Sequence, residues 1–237
     1  LRAAIRLGKC MENDKIPCDV QQAIQDAEKA IELNSYNAGA YTVLGMGYNL
    51  QKKYDQMEDA LKRCVRHASK PTGCRDMLSI LYYFEGRYEE AAAELKSAAE
   101  ASPSDANVQR GLGSVYYVTG RFSDAAVAFR KAAELEPEKI QAHYWNFLAL
   151  YRTGEKSEAL SRIKSAAQAL NKENWKSSVI RFYASQITEA TLFKAAMDKD
   201  SETDKEQKCE AYYFTGMARL LGLGAYETDS PTLRRAK

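Results

Sequence analysis

The sequence predicts an all-α fold, a solenoid of stacked antiparallel helix pairs, from three features of its 237 residues. Large apolar residues recur every 34 residues, glycines keep the same period, and prolines follow two of the predicted second helices. A period of this length is typical of stacked repeat proteins, in which each helix pair buries its apolar face against its neighbours. The periodic residues are Leu44, Leu78 and Leu112; Tyr48, Tyr82 and Tyr116; Tyr54, Tyr88 and Phe122; Leu61, Leu95 and Phe129; Gly86, Gly120 and Gly154.

Residues 106–138 resemble the tetratricopeptide repeat (TPR), because nine pattern positions agree in one register. Such a repeat is two antiparallel helices joined by a short turn, with large side chains in the first helix facing small alanines in the second. Glycine at the turn suits a helix end with positive φ, and proline stops the second helix. The matching residues are Leu112, Gly113, Tyr116, Gly120, Phe122, Ala125, Phe129, Ala132 and Pro137.

The pattern divides the chain into three parts. Residues 1–37 are predicted to form an N-terminal helical hairpin, a degenerate repeat, and residues 38–171 to hold four TPR units. The units are 38–71, 72–105, 106–139 and 140–171, and the 34-residue register is expected to break after them. The remainder, 172–237, is predicted to be a C-terminal helical segment with a partial TPR-like repeat. Within it we expect a helix over 175–194, a charged loop over 198–208, a helix over 209–222 that resembles a TPR first helix, and the start of its partner over 228–237.

The composition of the chain limits the classes of function that it can have. The chain has 34 basic and 32 acidic residues, a net charge of +2, which indicates neither a nucleic-acid-binding stripe nor an anionic-membrane surface. No apolar run approaches the roughly 20 residues of a membrane span. Because the sequence starts at Leu1 rather than Met, we expect a fragment or a processed form.

The cysteines offer two disulfide pairings, Cys10 with Cys18 and Cys64 with Cys74. Cys64 lies near the end of one second helix and Cys74 near the start of the next first helix, so neighbouring helices could bring them together. The alternative is that Cys64 is a small core residue and the others are incidental thiols. No Cys-x-x-Cys spacing occurs, and no metal or cofactor site is predicted.

The C-terminal segment resembles bacterial TPR lipoproteins of the NlpI type. The resemblance rests on Trp175, Val179, Phe182, Tyr183, Ile187, Leu192, the run Cys209 to Tyr213, Gly216 and Leu220 to Gly222, with His143 to Trp145 and Leu148 to Tyr151. It implies a periplasmic protein, anchored by a lipid upstream of Leu1 to the outer membrane, that acts as an adaptor for cell-wall hydrolases or an envelope protease. A cytoplasmic location is the alternative.

A TPR array binds partners in its concave groove, which the first helices line. Positions two, five, nine and twelve of each unit are expected to face this groove, and tyrosines there make good binding anchors. The alternative is that tyrosine at position twelve serves packing alone. The predicted partner-binding residues are Thr42, Met46, Asn49, Asp76, Ile80, Tyr83, Asn107, Arg110, Ser114, Tyr117, Tyr144, Leu148 and Tyr151.

No catalytic residue is predicted, because His67 and His143 lie on separate helices and no nucleophile–base arrangement can be assembled around them. The Lys and Asn clamp with which some TPR proteins hold chaperone tails is also absent from these positions. We therefore predict a non-enzymatic scaffold that binds a protein or peptide. The alternatives are a homo-oligomeric, homodimer-forming assembly module and the regulatory arm of a longer enzyme.

Overall fold

The computed structural model describes residues 19–170, 174–198 and 200–223. All regular elements in these ranges are α-helices, which confirms the predicted fold class. The chain divides into two compact units, Leu1–Leu135 and Glu136–Lys237. The helices are α1 (Val20–Leu33), α2 (Ala38–Leu50), α3 (Tyr54–His67), α4 (Thr72–Phe84), α5 (Tyr88–Ala101), α6 (Ala106–Val118), α7 (Phe122–Leu135), α8 (Ile140–Thr153), α9 (Lys156–Ala169), α10 (Trp175–Tyr183), α11 (Glu189–Ala195) and α12 (Ser201–Leu220).

The first unit is a row of helix pairs. Each helix from α1 to α7 packs against the next, and the first helices α2, α4 and α6 also touch in sequence. The periodic leucines and Phe129 lie in the interior: Leu61, Leu95 and Phe129 expose at most 1% of their surface. The 34-residue period is therefore the spacing at which each second helix places one large side chain in the core.

The first helices end alike. The residue at position fifteen has a left-handed backbone and donates its N–H to the carbonyl three residues back, while the next residue donates to the carbonyl five residues before it. Glycine adopts this conformation without the steric cost that a Cβ brings. In the first TPR unit Lys52 stands at this position instead of glycine. The five residues and their φ values are Lys52 (57°), Gly86 (75°), Gly120 (76°), Gly154 (89°) and Gly222 (66°).

The repeat spacing reappears at the end of α12, beyond the point where the 34-residue register was expected to break. Gly222 follows Gly154 by 68 residues, which is twice 34, and both glycines end their helices with the same hydrogen bonds. Between them α10 ends early, at Ser185 (φ 59°), in the same way. One shortened repeat, α10 with α11, therefore fills the interval, and α12 has the C-terminal geometry of a TPR first helix.

The charged segment 198–208 differs from the predicted loop, because it is helical from Ser201. The Asp200 side chain accepts a hydrogen bond from the backbone N–H of Thr203 and so caps the helix. Lys208 then pairs with Asp204 one turn earlier, at 2.7 Å. The charges that suggested a loop thus pair along a helix. The predicted segment 228–237 lies outside the described residues.

A disulfide joins Cys64, near the end of α3, to Cys74, near the start of α4. The two Cα atoms lie 6.3 Å apart, and both residues are completely buried. Of the two disulfide pairings that the sequence offers, the Cys64–Cys74 pairing is therefore present, and it links the first predicted TPR unit to the second. Cys10 and Cys18 lie outside the described residues, and Cys209 is an exposed thiol.

Candidate binding surface

The predicted partner-binding residues of the first unit lie on its three first helices. These helices are neighbours, so the side chains share one surface, which we call the first-helix surface. Every one of them is at least partly exposed. The residues are Thr42, Met46 and Asn49 of α2; Asp76, Ile80 and Tyr83 of α4; and Asn107, Arg110, Ser114 and Tyr117 of α6.

The polar part of this surface centres on Asp76 and Arg110. The Arg110 guanidinium donates a hydrogen bond of 2.6 Å to the Asn107 side-chain oxygen. Partial burial raises the pKa of the Asp76 carboxyl, the nearby charge of Asp105 raises it further, and Arg110 opposes the change. The surface thus presents one carboxyl and one guanidinium, with no net charge from this set of residues.

Replacing Asp76 by asparagine is expected to raise the thermal unfolding midpoint at pH 7 by about 2 °C. Because the folded-state pKa lies above the ordinary value of 3.8, the stability that this group contributes is complete below pH 3.8 and is lost as the pH rises through the folded pKa. The gain should therefore nearly vanish at pH 3. Thermal melts at both pH values check this, with Asp59→Asn on exposed α3 surface as the control. An equal gain at both pH values would contradict the electrostatic cause.

The tyrosines at position twelve are held in place by the second helix of their own repeat. Tyr83 packs edge-on against Tyr88, with ring centroids 5.6 Å apart, and Tyr117 packs against Phe122 at 5.2 Å. Both tyrosines nevertheless keep part of their surface exposed. Each ring is thus fixed before any partner arrives, which lowers the entropy lost on binding.

An exposed apolar row borders these tyrosines, and the sequence reasoning missed it. Leu50, Phe84 and Val118 lie at position thirteen of successive units and expose 42%, 82% and 43% of their surface, while Ile80 nearby exposes 49%. Their spacing of 34 residues carried the signal, but the prediction stopped at position twelve. Phe84 is the most exposed apolar side chain of this row and a candidate anchor.

The second unit places its predicted binding residues differently. Tyr144 and Leu148 of α8 expose only 4% and 1% of their surface, so they are packing residues, not an accessible face. The Tyr144 ring lies edge-on to Phe214 of α12, with centroids 5.0 Å apart. Tyr151 stays partly exposed, and its hydroxyl donates a hydrogen bond to the Leu221 carbonyl at the end of α12. These three predicted residues therefore contact or pack within their own unit.

The described residues give little sign of other chemistry. Within them, no group of three or more His, Cys, Asp or Glu side chains is arranged to hold a metal ion. The ring Nε2 of His143 lies 2.9 Å from the Pro137 carbonyl oxygen, and His67 lies in the last turn of α3. Over the same ranges, no helix combines the length and apolarity that crossing a membrane requires.

Comparisons with known proteins agree with the repeat assignment. Residues 77–140 match the tetratricopeptide repeat family model, and no curated protein matches the sequence significantly. The chain is similar to the AMB-1 form of MamA, at 24% identity and a TM-score of 0.54 over 71% of this chain and 91% of that one. It is also similar to YrrB, described as a TPR protein with an unusual peptide-binding site, at 20% identity and 0.55 over 71% and 84%.

A third similar structure is PilF of Pseudomonas aeruginosa, at 19% identity and a TM-score of 0.60, which spans 92% of this chain and 89% of that one. Identities this low establish the fold and leave function open. Residues 77–140 therefore carry the TPR pattern, and the chain has a TPR-type helical solenoid fold.

Proposed function

We propose that this protein is a non-enzymatic adaptor that binds a protein or peptide partner on the first-helix surface of its first unit. The observation that carries the proposal is the exposed Phe84 beside the partly exposed, prepositioned Tyr83, with the partly exposed Tyr117 on the next first helix. Aromatic anchors of this kind supply much of the binding energy at protein interfaces. The similarity to YrrB, described as a peptide-binding TPR protein, supports the same reading.

We further propose that the adaptor works in the bacterial periplasm, held by a lipid anchor upstream of Leu1. The Cys64–Cys74 disulfide supports an oxidising compartment, since cytosolic thiols are normally kept reduced. The resemblance of the C-terminal segment to NlpI-type lipoproteins suggests cell-wall hydrolases or an envelope protease as partners. A cytoplasmic location is the alternative.

Self-association is a second candidate function, favoured by exposed apolar side chains in the second unit. Met197, Tyr212 and Leu220 expose 65%, 69% and 82% of their surface on or beside α11 and α12. Exposed apolar residues of this size favour protein contacts. Multi-angle light scattering over a wide concentration range tests the idea, and a strict monomer at every concentration would exclude it.

Affinity capture with a double variant tests the adaptor function. Wild-type protein and Tyr117→Ala/Arg110→Glu protein are used to capture partners from an envelope extract, and the captured proteins are identified by mass spectrometry. The matched control is Val127→Ala/Arg130→Glu, because both side chains are exposed on the second helix α7. We expect hydrolases or a protease with wild type and control and their loss with the double variant. Equal capture by all three forms would contradict binding at this surface.

A further inference from the structure

Helix α12 has a packed face and, on its opposite side, an uncharged exposed face. Ala211, Thr215 and Ala218 form the packed face and expose at most 3% of their surface. Four residues spaced four, three and four positions apart lie on the other side, within about 60° of each other around the helix. Tyr213 exposes 49% of its surface and Leu220 82%. The four residues, which we call the α12 stripe, are Cys209, Tyr213, Gly216 and Leu220.

The spacing of the α12 stripe is that of a contact between two helices. Alternating steps of four and three residues keep side chains on one seam, and helices that pair along their lengths use this spacing. None of the four side chains is acidic or basic, and the thiol of Cys209 is exposed with them. An exposed apolar seam of this kind favours contact with a second helix over contact with water.

Gly216 is not required by the packing of the described residues. It lies inside α12, where glycine is less favourable than alanine. A Cβ on Gly216 would meet no atom of the described residues within 4 Å, whereas a Cβ on Gly113 would lie 2.7 Å from the Phe129 ring. At Gly216 the missing side chain instead leaves room for a close approach from outside the chain.

We propose that α12 pairs with α12 of a second copy of this chain, antiparallel and around a two-fold axis. This inference rests on the proposed self-association and names its interface. An axis that passes between residues 214 and 215 brings the whole α12 stripe into contact with itself. Tyr213 then lies opposite Gly216 of the second copy, and Cys209 lies opposite Leu220, so that each large side chain meets a small one.

The sizes of the side chains favour the antiparallel arrangement. A parallel pair would place Tyr213 opposite Tyr213 and Gly216 opposite Gly216. The first level would be crowded and the second would hold a gap, and both weaken a packed contact. The antiparallel pair fills the space above each glycine with a tyrosine ring.

The charges of α12 favour the same arrangement. Residues 201–210 contain four carboxylates and two lysines, a net charge of −2, whereas residues 211–220 contain no acidic residue. A parallel pair would set two negative halves side by side. An antiparallel pair sets each negative half against the half without carboxylates, and the two helix dipoles then also oppose each other.

Leu220→Asp tests whether the α12 stripe is the interface. Sedimentation equilibrium of the full chain measures the dissociation constant of the assembly, and we expect this variant to raise it at least about tenfold, because a carboxylate would enter an apolar contact. The matched control is Leu33→Asp. Leu33 and Leu220 are the last residues of their helices and expose 79% and 82% of their surface, and the control should leave the dissociation constant unchanged.

Gly216→Ala separates loss of the contact from loss of the fold. The added methyl group should favour the helix, yet it occupies the place of the second copy's Tyr213 ring, so the dissociation constant should rise by about tenfold. Circular dichroism during thermal unfolding checks that the variant is folded. A better-folded chain that associates less well is the expected result.

The antiparallel register has a test of its own. Leu220→Cys places a thiol opposite Cys209 of the second copy, and oxidation with copper phenanthroline in air should join the two thiols in a disulfide between copies. Wild-type Cys209 should stay unlinked, because an offset of 11 residues separates it from its counterpart by about 16 Å along the helix. Peptide mass mapping identifies the bond.

The outcomes distinguish this interface from self-association in general. Equal dissociation constants for Leu220→Asp and Leu33→Asp, undiminished association of Gly216→Ala, or rapid linkage of wild-type Cys209 between copies would each overturn the inference. Self-association would then stand, with another interface. A strict monomer at every concentration would exclude self-association and this interface together, and the adaptor function would be unaffected.

Discussion

Replacing Phe129 by alanine is expected to lower the free energy of unfolding by about 3–4 kcal/mol. Phe129 is completely buried in the middle of α7, and the substitution leaves a cavity whose walls can relax only partly. Chemical denaturation followed by circular dichroism measures the change. Val127→Ala two residues earlier is the control, because Val127 exposes 56% of its surface and its loss should stay within about 0.5 kcal/mol.

The cause can be isolated by changing the glycine that faces this ring. A Cβ on Gly113 would lie 2.7 Å from Phe129 Cδ1 and Cε1, closer than real Cβ contacts allow. Gly113→Ala is therefore expected to destabilise wild-type protein by overpacking, by about 1–2 kcal/mol, and to stabilise the Phe129→Ala variant, where the space is empty. Additive effects of the two substitutions would contradict this packing.

Gly216→Ala provides the opposite control for the glycine. Gly216 lies inside α12, and a Cβ there would meet no atom within 4 Å. Alanine should therefore stabilise the helix by about 0.5–1 kcal/mol. Whether a glycine-to-alanine substitution raises or lowers the free energy of unfolding thus depends on the atoms that the new methyl group meets. Chemical denaturation measures this free energy for both the Gly113 and the Gly216 variants.

The burial of Phe129 also shows why the fold could be predicted. Its place follows from a pattern in which each repeat buries the same positions against its neighbours, so residues near in sequence decide the structure. The helical start of α12 was not predicted, because the high charge of this segment suggested a loop. The helix depends on the spacing of particular residues: Asp200 caps it, and Lys208 pairs with Asp204 four residues earlier.

The accessibility of the predicted binding residues followed the repeat pattern only in the first unit. There Ile80 is exposed and Tyr83 partly exposed, as the repeat pattern indicates. Leu148 has the same repeat position as Ile80, yet Leu148 is buried. The adjoining Tyr151 contacts Leu221, 70 residues further along the chain. A repeat pattern assigns a side chain to a face but carries no information on a distant helix that covers that face.

Removing the Cys64–Cys74 disulfide by a double substitution to alanine is expected to lower the free energy of unfolding by about 2.5–3 kcal/mol. The bond closes a loop with a sequence separation of 10, and loss of this constraint increases the entropy of the unfolded chain by about that amount. The measurement is a urea titration of both proteins with and without reductant. Reductant should destabilise the wild type and leave the double variant unchanged at this site.

The same bond connects stability to the binding surface. Thr42, one of the first-helix surface residues, places its hydroxyl 3.8 Å from Cys74 Sγ, so the disulfide that joins α3 to α4 also contacts the α2 part of that surface. Reduction should therefore weaken a partner that contacts α2 more than one that contacts α6 alone. Peptide mass mapping under non-reducing conditions gives the decisive control: free thiols at both positions in native protein would remove the stability prediction and the argument for an oxidising compartment together.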